Sequence, residues 1–224
     1  MKLFKVFIFF IFLVLKVQSL ALCLTICGSS CWGTIVKPVC MALCMAACAA
    51  GTRNCFSDDT TIQVQRNKTI IETSISNIKE KDQVLTLKNG EFSLTNVVQI
   101  LQNEGNFTFY ELKAQNSEKK IKKIKLTEDH GLIVIKNNQK FIVSAKNIKK
   151  GNLIITNEGI FSIYDISIIT QNKKYTLYTE DGTILASDIY VSTICEPDID
   201  ETIPFEELME DWRQAHETIN SYIK

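Results

Sequence analysis

The sequence predicts an all-β domain of about a dozen short strands over residues 55–195. Three observations support this class. Apolar and polar residues alternate with period two through many short runs, the mark of strands with one buried face. Asn-Gly, Asn-Asn and Asp-Gly pairs punctuate those runs, and such pairs favour tight hairpin turns. Between them lies no helix-period segment of useful length and no crossover pattern.

The strands read in order as 61–65, 83–87, 96–101, 131–135, 141–143, 153–155, 161–169 and 183–186, with shorter pieces between. Lys88-Asn89-Gly90 and Asp181-Gly182 are the cleanest hairpin signals. The chain has 224 residues, enough for one core with appendages. Its formal net charge is zero, with 25 acidic and 25 basic residues, so no basic face points to nucleic acid. The lysines between 119 and 125 alternate with Ile121 and Ile124 and read as a solvated strand face.

Residues 1–19 read as a secretory signal. Lys2 and Lys5 precede an apolar run at 6–15, and small residues follow at Ser19 and Ala21. Lys16 interrupts the run too early for a comfortable membrane span, which leaves a signal anchor as the minority alternative. The expected destination is the secretory pathway, then the cell surface or exterior. Two sequons, at Asn67 and Asn106, fit that route.

Residues 20–54 are small, apolar and rich in cysteine. Cys23, Cys27 and Cys31 step by four, as do Cys40, Cys44 and Cys48. On helices each triplet shares one face, and Gly33 and Pro38 mark a break between them. An antiparallel helical hairpin would face row to row, pairing Cys23 with Cys48, Cys27 with Cys44 and Cys31 with Cys40. So small a unit needs cross-links for stability. Unpaired thiols remain an alternative, and a metal site fits poorly, since two rows of three are not zinc-ligand spacing. No cofactor is expected.

Residues 196–224 form an acidic tail. Phe205, Leu208, Met209, Trp212, Ala215, Ile219, Tyr222 and Ile223 recur at helical spacing behind Pro204. They predict a short amphipathic helix that packs on the β body. Membrane contact is the alternative, and the acidic polar face argues against anionic lipid.

The chemistry concentrates at Cys55. A cysteine that follows a peptide bond can attack the preceding carbonyl through a five-membered ring, at the high effective concentration of an intramolecular reaction. The product is a thioester that a second nucleophile can open. The amide nitrogen needs a proton as it leaves, which a histidine can supply. A threonine hydroxyl can hold the amide. Thr127 and His130, in Thr127-Glu128-Asp129-His130, are the candidates, and the scissile bond is Asn54-Cys55. The plainer alternatives are a structural half-cystine and a satisfied buried histidine.

Five blocks carry a resemblance. They are Cys55-Phe56, the run 78–86 from Ile78 through Asp82 to Thr86, Leu126-Thr127-Glu128-Asp129-His130, the run 145–154, and Thr179-Glu180-Asp181-Gly182-Thr183-Ile184-Leu185. Together they resemble the Hint module shared by hedgehog autoprocessing domains and inteins, with the hedgehog type nearer. The resemblance implies a horseshoe-shaped all-β fold. It implies Cys55 as nucleophile, with Thr127 and His130 activating the scissile bond. Departures from the family pattern narrow the expected reaction. Asn54 stands where hedgehog proteins have glycine. The module ends Val191-Ser192-Thr193-Ile194-Cys195, without the His-Asn pair that inteins use to splice, so cleavage is expected instead. The hedgehog aspartate that activates sterol aligns at or near Gln102, with Glu104 two residues on. The acceptor is therefore open: water, a small thiol or amine, or a lipid. Cys195 is a candidate regulatory thiol, able to pair with Cys55. The expected substrate is the chain's own N-terminal segment. The competing reading is a Hint-like binding module that no longer cleaves.

Overall fold

The computed structural model describes residues 55–88, 90–194, 203–210 and 213. All but Arg213 belong to one unit, Thr52–Trp212; Met1–Gly51 and Arg213–Lys224 make up a second. The predicted signal, the six cysteines from Cys23 to Cys48, Asn54, Cys195 and the acidic stretch 196–202 lie outside the described residues.

The described residues are nearly all strand. The elements are β1 (Phe56–Ser57), β2 (Thr61–Arg66), β3 (Thr69–Ser74), β4 (Gln83–Lys88), β5 (Glu91–Gln115), β6 (Ile121–Leu126), β7 (Gly131–Lys136), β8 (Gln139–Ser144), β9 (Leu153–Thr156), β10 (Gly159–Thr179), β11 (Thr183–Ala186) and β12 (Ile189–Ser192). They form one antiparallel sheet ordered β10-β1-β6-β5-β4-β2-β11-β12-β9-β7-β8, with β3 on β2 and further pairings of β10 with β5 and β9.

Two strands are far longer than predicted. β5 runs 25 residues and β10 runs 21, so the runs 96–101 and 161–169 are only their better-patterned parts. Gln102 to Asn106 has little apolar content, and it stays in β5 because its backbone pairs with β10 around a bulge between Gln171 and Lys173. Backbone pairing of this kind leaves no side-chain signature. The turn at Asp181-Gly182 also differs from the expectation. It leads from β10 into β11, which pairs with β12 and β2 and makes no ladder with β10. The β11–β12 hairpin turns instead at Ser187 and Asp188, both at positive φ.

The sheet is built from a repeated unit. β2 and β3 turn at Asn67-Lys68, and β7 and β8 turn at Asn137-Asn138, seventy positions later and with the same positive φ values of about 50 and 60–70. A 3-10 turn follows each hairpin, at Ile75–Asn77 and Ala145–Asn147. In both units an Asx side chain caps the next bend, Asp82 accepting from the Lys79 N–H and Asn152 from the Lys149 N–H, each at 2.8 Å. The sequence pairs Ser74-Ile75-Ser76-Asn77-Ile78-Lys79 with Ser144-Ala145-Lys146-Asn147-Ile148-Lys149. This register places Thr127 at the mate of Ser57 and His130 at the mate of Thr60, so one copy of a common turn carries the candidate chemistry.

A single apolar core serves both repeats, with Phe56, Leu112, Leu126, Leu132, Ile154, Phe161 and Leu177 among its members. The predicted tail helix begins where expected. Residues 205–210 are helical and Pro204 bridges to Phe141. Phe205, Leu208 and Met209 are buried, which is the packing on the β body that their spacing predicts. Phe205 meets the Tyr190 ring edge-on with centroids 6.1 Å apart. The later positions of the apolar stripe, from Trp212 on, lie outside the described side chains.

Candidate functional site

Cys55 lies immediately before β1, and β1 is held between two strands: Phe56 pairs with Leu126 of β6 and with Tyr175 of β10. That register sets Cys55 against Thr127 on one side and Thr176 on the other. The Thr127 N–H donates to the Cys55 carbonyl at 3.0 Å. The Thr127 hydroxyl accepts the Cys55 N–H at 2.9 Å and lies 3.4 Å from the same carbonyl. The amide nitrogen that would become the leaving group is thus fixed by the threonine the sequence singles out.

His130 arrives through the turn Thr127–His130, closed by its own N–H on the Thr127 carbonyl at 3.0 Å. Its ring is fully buried and packs edge-on against Phe56, with centroids 4.4 Å apart. Nε2 lies 2.9 Å from the Ser192 carbonyl. A carbonyl only accepts, so Nε2 carries the hydrogen and Nδ1 carries the lone pair. Nδ1 is buried with no hydrogen-bond partner of good geometry. Burial pushes the ring's pKa down to about 4; the Ser192 carbonyl and the nearby Cys55 backbone oppose that shift only in part. The ring is therefore neutral at pH 7, with a bare nitrogen left over beside Cys55.

Burial is also the main influence on the Cys55 thiol, whose pKa it pushes up; Thr176 and Lys174 oppose the shift. A raised thiol beside a depressed imidazole describes a neutral pair at rest. Proton transfer between them is uphill and belongs to the reaction rather than the ground state.

The other predicted residues fall elsewhere. Gln102 and Glu104 are exposed on β5. The Gln102 Oε1 accepts from the Tyr175 hydroxyl at 2.9 Å, and Glu104 lies 3.8 Å from the Lys173 ammonium. Neither bonds to Cys55, Thr127 or His130 among the described residues. Asn67 is exposed in the β2–β3 turn and Asn106 is exposed on β5, so both sequons are accessible. Among the described residues no cluster of three His, Cys, Asp or Glu side chains could hold a metal ion.

Two contacts have no forewarning in residue type. The Ser192 partner is a main-chain carbonyl, invisible to any argument from side chains. Thr176 and Lys174 lie in a β-patterned run where nothing sets them apart until burial is known; Lys174 is a lysine only 7% exposed.

This geometry accompanies a family match. The Hint module model covers residues 44–221, most of the chain, and the chain belongs to that family. Solved inteins share the fold. An intein from a hyperthermophile superposes with a TM-score of 0.55 at 18% identity, over 62% of this chain and 99% of the intein. The Pab PolII intein gives 0.54 at 13% identity, over 62% and 99%. A DnaB intein from Synechocystis sp. PCC 6803 gives 0.50 at 16% identity, over 62% and 97%. No curated protein matches the chain by sequence. Family and fold together define the chain as an autoprocessing module of the Hint class.

Proposed function

We propose that the chain cleaves itself at Asn54-Cys55 and releases the Cys-rich segment of residues 20–54. The observation that carries this reading is the Cys55 amide, held at 2.9 Å by Thr127 beside a neutral His130 with one bare nitrogen. The Cys55 sulfur attacks the Asn54 carbonyl carbon, forming the S–C bond. Nδ1 of His130 takes the thiol proton and passes it to the Cys55 nitrogen as the C–N bond breaks. Thr127 orients that nitrogen throughout. The products of this step are an Asn54 thioester and a Cys55 amine. Water, a small thiol or amine, or a lipid hydroxyl then breaks the S–C bond and restores the thiol.

Cleavage rather than splicing follows from the ending Val191-Ser192-Thr193-Ile194-Cys195, which lacks a His-Asn pair. We place the reaction in the secretory pathway on the strength of the signal-like residues 1–19. There the six-cysteine segment would be a disulfide-linked helical hairpin and Cys195 a candidate regulatory partner of Cys55.

The test is intact mass of residues 20–224 under mild reductant, beside Cys55→Ala and His130→Ala. The expected result is two fragments summing to the chain plus water, or plus an added nucleophile, with none in Cys55→Ala. An unbroken mass in all three, even with hydroxylamine, favours a Hint-fold binding module.

A further inference from the structure

β10 carries four consecutive buried residues, Lys174, Tyr175, Thr176 and Leu177. Tyr175 and Leu177 belong to the apolar core. Lys174, Thr176 and Tyr178 fall on the other face, since alternate residues share a face. β1 pairs Phe56 with Tyr175 and Ser57 with Lys174, so Cys55 stands opposite Thr176 with Lys174 its diagonal neighbour. The Cys55 sulfur lies 3.1 Å from the Thr176 hydroxyl oxygen.

A hydroxyl at this position has a cost. Thr176 is 2% exposed, and the sulfur is its hydroxyl's hydrogen-bond partner among the described residues. Valine would fill the same volume, suit a strand equally well and leave no polar atom to satisfy. Lys174 is the more unusual of the two. It is a lysine only 7% exposed, and its ammonium lies 4.3 Å from the Phe107 ring centroid. Two polar side chains maintained in one buried stretch, on the face that meets the nucleophile, point to a shared use.

We propose that Thr176 is a catalytic side chain that binds the Cys55 sulfur, and that Lys174 is a positioning charge that favours loss of the thiol proton. This rests on Cys55 being the nucleophile. At rest the thiol and hydroxyl share one hydrogen bond. As the thiol proton moves to His130, the Thr176 O–H turns its hydrogen onto the sulfur and steadies the developing negative charge. It gives up no proton, and once the thioester forms the charge is gone. The titratable groups around the sulfur agree with this assignment. His130, just before β7, is neutral. The Tyr178 hydroxyl, pushed up to about 12 by burial and by repulsion from a Cys55 thiolate, is neutral too. Lys174 supplies positive charge, and both Lys174 and Thr176 act to lower the thiol's proton affinity against its burial.

The test uses the full chain with Thr176→Val, Thr176→Ser, Lys174→Met and Lys174→Arg. One readout is the Cys55 ¹³Cβ shift titrated into the alkaline range, in a His130→Gln background that keeps the chain whole and assigned against Cys55→Ser. Thr176→Val is expected to raise the midpoint by about one pH unit, with Ser restoring it. Lys174→Met is expected to raise it and Lys174→Arg to leave it near the parent. The second readout is hydroxylamine-trapped cleavage with His130 intact, expected to slow about tenfold in Thr176→Val and to recover in Thr176→Ser. If Thr176→Val does not fold, the Lys174 pair decides. A Cys55 midpoint unmoved by either neutral substitution overturns the assignment, whatever cleavage does. The expected shifts in a chain that never cleaves would reject self-cleavage and with it the catalytic role of Thr176, leaving only its hydrogen bond to the thiol.

Discussion

His130 should make the fold sensitive to mild acid, and His130→Gln should remove that sensitivity. The parent for both chains is Cys55→Ala, which stays whole. Glutamine keeps an N–H that can reach the Ser192 carbonyl. The folded ring has a pKa of about 4 against an ordinary 6.5. Above pH 6.5 both folded and unfolded rings are neutral and nothing is gained or lost. As pH falls through 6.5 the unfolded chain takes the proton first, so stability drops and continues to drop until the folded ring also titrates. Linkage puts the loss at about 2 kcal/mol between pH 7 and 5 and about 3 kcal/mol by pH 4. The ring is fully buried, so solvent screening does not discount the figure. Carboxylates do not confuse this window. Glu158, held near 2 by Lys122 and Lys120, starts to lose its contribution as the unfolded carboxylate titrates near 4.5, below the pH 7–5 span, and it does so equally in both chains. The assay is urea unfolding at pH 7, 6 and 5. The parent should lose about 2 kcal/mol more than His130→Gln over that span. Parallel pH dependence in the two chains would refute a buried, neutral imidazole at this site.

Three further outcomes are expected. Thr127→Val removes the acceptor for the Cys55 N–H at 2.9 Å; it should slow cleavage about 10- to 100-fold and cost about 1–3 kcal/mol, while Thr127→Ser keeps most of both. Mass spectrometry of a single turnover and urea unfolding measure the two effects. Gly182→Ala places a Cβ 2.9 Å from the Ile194 Cγ1 and 3.1 Å from the Met209 Cε, at φ +67, and should cost about 2 kcal/mol by urea midpoint. Leu208→Ala, at a site 3% exposed, should cost about 2–4 kcal/mol and raise amide exchange across 205–210. Unchanged exchange would mean that the helix does not depend on its seat against the sheet.

The sequence discloses its strands wherever one face is buried. β2, β4, β7, β8 and β11 coincide with the alternating runs, because their inward residues, such as Ile62, Val64, Val84 and Leu132, are apolar and fully buried. The middles of β5 and β10 follow no such pattern, since main-chain pairing continues there without a buried face. The repeat offset by seventy residues is written in two Ser-x-x-Asn-Ile-Lys segments, yet at low identity it shows only once the paired hairpins are superimposed. At the site, Cys55, Thr127 and His130 carry their chemistry in their side chains and can be read directly. Ser192 contributes only a carbonyl, and Thr176 acquires meaning from the register of a strand pair. Neither fact is written in residue type. Gln102 and Glu104, drawn from a resemblance, stand exposed on β5, where Gln102 bonds to Tyr175 and Glu104 lies near Lys173.

The carbonyl that fixes the His130 tautomer belongs to the last strand of the sheet, whereas the nucleophile opens the first. A ribosome delivers Cys55 first and that carbonyl after it. While the chain is still emerging, Cys55 and Thr127 can meet, yet no group holds the hydrogen on Nε2, and the lone pair is free to rest on either nitrogen. On the proposed reading the cutter is therefore disarmed throughout synthesis. It becomes competent only when the last strand of its sheet has been made and folded, so a leader is released only once residues 55–192 are in place.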